Sequence, residues 1–102
     1  MPQLFAVVRS RGAAWNDALP MEQQEAWQPH ADFMNALLDD GFVAIGGPLE
    51  GTRDVLLIIR ARDADEIASR LENDPWSPLD LLRITRIAPW TLRLGSLPPN
   101  PD

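Results

Sequence analysis

His30 is the one side chain here whose ordinary titration lies near neutral pH, which makes it the candidate proton carrier. It follows Trp27-Gln28-Pro29, and proline sits readily in the first turn of a helix. His30 is therefore expected at a helix start, on a stripe with Phe33, Met34, Leu37 and Leu38. Asp74, in Asn73-Asp74-Pro75-Trp76, is a partner able to hold one ring nitrogen and fix the tautomer, which leaves the other nitrogen for substrate. A carboxylate near a helix C-terminus is electrostatically misplaced, a reason to look for its partner elsewhere. Plainer readings stand beside these: a histidine packed at a helix start against a carbonyl, and an Asp-Pro turn.

The cations are all arginine. Arg9 and Arg11 close an apolar segment and are candidate anchors for substrate charge. Arg86 is in phase with Leu82, Ile84, Trp90, Leu92 and Leu94, so it falls on an apolar face and needs a partner. That partner is either a carboxylate across a dimer or an anionic ligand, unless a bulge between Ile84 and Ile87 turns Arg86 to solvent. Gly46-Gly47-Pro48 reads more readily as a turn than as a ligand cradle, although Gly47 is a candidate pocket contact. Trp76 is either a core lid or the apolar wall of a pocket.

The elements that must position these groups follow from periodicity and punctuation. Gln3–Arg9 reads as strand one. Met21–Trp27 is a short separate element, because Pro29 does not tolerate the middle of a long helix. Helix one runs from Pro29 to a stop at Gly41. Strand two is Phe42–Ile45, ended by Gly46-Gly47-Pro48, and strand three is Asp54–Ala61. Asp63 with Glu66 marks the start of helix two, and Asn73-Asp74-Pro75 its stop. Leu82–Leu94 reads as a long fourth strand in which Pro89 demands an edge or a bulge.

This order predicts an α+β, ferredoxin-like βαββαβ fold, an antiparallel sheet with two helices on one face. The ends of strand one, strand two and helix two then share an edge with the start of helix one. That edge collects Arg9, Arg11, Gly47, Asp74, Trp76 and His30. The uncovered sheet face should be polar, yet Leu4–Val8 and Val55–Ile59 are apolar at every position. A second copy of the sheet is the simplest cover, so a homodimer is expected, with Leu82–Leu94 contributing to its interface.

At 102 residues the chain fits one domain, residues 1–95, with a flexible proline-rich tail over 96–102. A net charge of −6 argues against nucleic acid. The absence of cysteine excludes disulfides and thiol nucleophiles, and a lone histidine makes a zinc site improbable. The apolar runs are too short to span a bilayer. The N-terminus shows no basic n-region or cleavage site, so a cytoplasmic location is expected.

Taken together, Trp27-Gln28-Pro29-His30-Ala31-Asp32-Phe33-Met34, Gly41-Phe42-Val43, Gly46-Gly47-Pro48-Leu49, Glu72-Asn73-Asp74-Pro75-Trp76 and Ile87-Ala88-Pro89-Trp90 resemble the YciI-related (YCII) family. The likeness extends over Gln3–Gly95 and implies the fold of the dimeric α/β-barrel superfamily. It also implies that His30 and Asp74 correspond to that family's proposed His–Asp active site. Some relatives in the wider superfamily isomerise, eliminate from or oxidise small ring-derived molecules without metal or organic cofactor. The leading expectation is therefore a small cofactor-independent lyase or isomerase acting on a small molecule, with a carboxylated one among the candidates. His30 would be the acid or base, Asp74 its orienting partner, and Arg9, Arg11 or Arg86 the anchors. The alternatives are a non-catalytic dimeric module that binds a small ligand or partner for regulation, and a purely structural dimer.

Overall fold

The computed structural model describes residues 2–97. Strand β1 is Gln3–Arg11, helix α1 Trp27–Asp39, strand β2 Val43–Pro48 and strand β3 Asp54–Ala61. Helix α2 is Ala64–Leu71 and strand β4 Leu82–Trp90. The four strands form one antiparallel sheet in the order β2-β3-β1-β4, which with this connectivity is consistent with a ferredoxin-like fold.

Both helices lie on one face because their apolar stripes have one place to go. Leu37 of α1 and Ile67 and Leu71 of α2 pack with Phe5, Val7, Val43, Leu57 and Ile59 in a single buried cluster. Each such side chain contributes roughly 1.5–3 kcal/mol by leaving water. Helix α2 starts as its sequence requires, with Asp63 accepting a hydrogen bond from the Glu66 N–H. Helix α1 ends where Gly41 takes φ of 86°.

Several boundaries differ from the sequence expectation, each for a local reason. Of the expected Met21–Trp27 element, Met21–Gln23 forms a 3-10 turn separate from the main helix, whereas Trp27 belongs to that helix. The break, however, lies before Pro29, at Gln24 (extended) and Ala26, whose φ is 57°. Helix α1 thus begins at Trp27, and Pro29 stands third in it, where a backbone N–H still has no intrahelical partner. Gly46-Gly47-Pro48 is not a turn but the second half of β2, paired with Leu57, Leu56 and Val55. A Cβ on Gly46 would lie 2.5 Å from Leu57 Cδ2, so the missing side chain is what lets β2 and β3 lie together there. Strand β4 stops at Trp90 rather than Leu94, and it is an edge strand, where Pro89 costs no ladder bond to a further neighbour.

The other sheet face follows from alternation along the strands. It carries Leu4, Ala6 and Val8 of β1, Leu56 and Ile58 of β3, Ile45 of β2, and Ala88 and Trp90 of β4. Ile45 is 45% exposed and Trp90 39%, large apolar groups that neither helix covers. No helix among the described residues is long and apolar enough to cross a membrane. Of the tail expected at 96–102, residues 98–102 lie outside the described residues.

Candidate functional site

The site forms where β1 ends, α1 begins and the chain leaves α2. Residues 9 and 11 of β1 point to the helix-covered face, by the same alternation that buries Phe5 and Val7. The segment after α2 turns tightly: the Asp74 N–H donates to the Leu71 carbonyl and the Ser77 N–H to the Asp74 carbonyl. The Asp74 carboxylate also accepts from the Trp76 N–H at 2.9 Å, the usual Asx turn of an Asp-Pro step. Turn chemistry thereby aims the carboxylate inward.

There it meets two side chains from remote elements. His30 Nδ1 lies 2.9 Å from both carboxylate oxygens, and Arg9 Nη1 donates to Oδ2 at 2.7 Å. Asp74 is fully buried, Arg9 is 1% exposed and His30 7%. Burial pushes the Asp74 carboxyl up, but hydrogen bonds from His30, the Trp76 N–H and Arg9, with the Arg9 charge, outweigh it and hold Asp74 below its usual range. An ionised Asp74 can only accept, so Nδ1 carries a proton and donates it. In the neutral ring Nε2 then holds the lone pair. That atom has no hydrogen-bond partner among the described residues.

Aromatic rings set the imidazole plane. Trp76 stacks on His30 at 3.7 Å between centroids and 6° between planes, and Trp15 meets Trp76 edge-on at 5.5 Å. Trp76 is held by its own indole N–H, which donates to the Glu25 carbonyl at 2.6 Å.

A pocket of about 170 Å³ opens beside these groups. Arg9, Arg11 and His30 give it a polar wall, and Trp15, Met21, Met34, Val55, Leu57, Trp76 and Leu82 an apolar one, with Gly46–Pro48 at the side. Five of the seven residues expected at the site, His30, Arg9, Arg11, Gly47 and Trp76, therefore line one cavity. Asp74 does not line it but supports His30 and Arg9 from behind. Arg86 is elsewhere: the register shift between Val8 and Arg9 places a bulge at Thr85, and Arg86 pairs with Val8 on the open face, exposed. Trp76 is at once a core ring and a pocket wall.

Sequence reasoning missed Ser77, Trp15 and Met21. Ser77 Oγ accepts from Arg9 Nη2 at 3.2 Å and donates to the Leu71 carbonyl at 2.7 Å, fixing the guanidinium from its second side. Trp15 and Met21 come from a long connection without periodicity, so nothing in their spacing signals that they reach the pocket. A comparison with protein-family models returned no match, and neither did one with curated proteins.

Proposed function

We propose that this chain is a YciI-related, cytoplasmic homodimer that performs acid–base chemistry of the lyase or isomerase type on a small molecule in the 170 Å³ pocket. One observation carries the reading: an ionised, fully buried Asp74 accepts a hydrogen bond from His30 Nδ1–H, on a ring that lines the cavity. That arrangement makes Nε2 the atom able to accept a substrate proton, while Asp74 stabilises the imidazolium that results. The substrate electron pair released would move toward a carbonyl or a departing group, and Nε2 would return the proton at the end of the cycle. Trp76, stacked on the ring, prevents it from turning away. The uncovered apolar sheet face supports the homodimer, since a second copy would bury Ile45, Trp90 and Val8 together.

The chain has one histidine, so nitrogen-detected NMR of labelled protein reads a single imidazole. At a pH where the ring is neutral, the proton is expected on Nδ1, with Nε2 resonating as a bare nitrogen. A resting proton on Nε2 overturns the base assignment. Once a substrate is in hand, His30→Ala should abolish turnover and leave the protein folded.

A further inference from the structure

We infer that the pocket selects a compact apolar monocarboxylate, anchored by Arg11. The inference rests on the pocket being the substrate site proposed above, and it adds the charge and size of the ligand.

Arg9 cannot act as a free clamp. Its Nη1 is taken by Asp74 and its Nη2 by Ser77. Its Nε–H is unpartnered but buried out of reach of solvent, so Arg9 offers a ligand no free donor. Arg11, two residues on and on the same side of β1, lines the same pocket. Five other arginines, at 9, 53, 62, 70 and 83, each pair with a carboxylate, in a chain with fifteen acids. Arg11 has no carboxylate partner among the described residues and instead lies 4.5 Å over the Trp15 ring, which orients it. Because Arg9 and Asp74 cancel, the site offers one uncompensated positive charge, which matches a monoanion rather than a dianion.

The rest of the cavity sets the body of the ligand. Its other walls include Trp15, Met34, Leu57 and Leu82, in about 170 Å³. An apolar cavity of roughly 150 Å³ is known to hold benzene, so a ring of about six atoms bearing one carboxylate is the fitting size.

The test uses the full-length protein at neutral pH with benzoate as probe, benzamide as its uncharged isostere and inorganic phosphate as an anion without an apolar body. Binding is read by NMR shifts of the tryptophan indole and His30 signals. Benzoate is expected to saturate, with benzamide and phosphate each weaker by about tenfold or more, as a charge-assisted contact implies. Arg11→Met, which keeps an apolar side chain over Trp15, should weaken benzoate by about tenfold and leave benzamide within about threefold. Arg11→Lys should recover part of the loss. Equal affinity for benzoate and benzamide overturns the proposal on the parent protein alone, so it does not depend on a variant folding. Phosphate binding as tightly as benzoate overturns the apolar body, and an unchanged Arg11→Met overturns the anchor. These outcomes are separate from the acid–base reading, because binding requires no proton transfer: an inert His30 would leave benzoate bound, whereas a base acting on an uncharged substrate would leave it unbound.

Discussion

Replacing Asp74 by alanine exposes how the site is held together. The change removes the acceptor for Arg9 Nη1 at 2.7 Å, for His30 Nδ1 at 2.9 Å and for the Trp76 N–H at 2.9 Å. Arg9, 1% exposed, would retain only Ser77 Oγ at 3.2 Å, with its Nε already unpartnered. A buried charge stripped of its counter-ion costs about 3–5 kcal/mol, a large part of the ~5–15 kcal/mol that stabilises a typical domain. With a urea slope of about 2 kcal/mol/M, the unfolding midpoint should fall by roughly 2 M. Trp15, Trp27 and Trp76 surround the site, so tryptophan fluorescence during urea unfolding reports the loss directly. The double variant Arg9→Met/Asp74→Ala removes the stranded charge and should recover about 2 kcal/mol of it. If Asp74→Ala stays within about 1 kcal/mol of the parent, or Arg9→Met recovers nothing, the buried pair is not what holds this corner and the reasoning fails.

The pH dependence has a definite sign. Asp74 has a lowered folded pKa, so its contribution is fully present above the ordinary 3.8 and is lost as pH falls from there through the folded value. Urea midpoints should thus drop between pH 4 and lower pH in the parent and change less in Asp74→Asn. Gly47→Ala meets nothing within 4 Å and should shift stability by less than about 0.5 kcal/mol, whereas Gly46→Ala must displace Leu57 and should cost about 1–3 kcal/mol by thermal unfolding. Light scattering of the parent should give twice the chain mass, and Ile45→Arg, on the exposed apolar face, should shift it toward one chain; a parent that is monomeric at micromolar concentration removes the dimer from the proposal.

Local chemistry determined much of this protein before any tertiary contact. The Asp63–Glu66 start of α2, the Gly41 stop of α1 and the limits of β3 are written in neighbouring residues, because caps, turns and alternation act within a few positions. The meeting of His30 and Asp74 was also legible, since strand order alone brings a helix start and a helix end to one edge. What stayed hidden depended on the identity of a distant neighbour. Gly46-Gly47-Pro48 has turn composition, yet β3 offers it a ladder and Leu57 fills the space that the missing side chain of Gly46 leaves. Arg86 has the phase of a buried residue until one extra residue, Thr85, shifts the register against β1 and turns Arg86 onto the open face. Arg9 reads as a strand-end anchor for substrate charge, and only the turn after α2, delivering Asp74 and Ser77 from 65 and 68 residues away, shows its guanidinium to be tied up in a buried pair instead. Propensity and periodicity are sums over adjacent residues; pairing partners, bulges and buried counter-charges are set by contacts between segments that no local window contains.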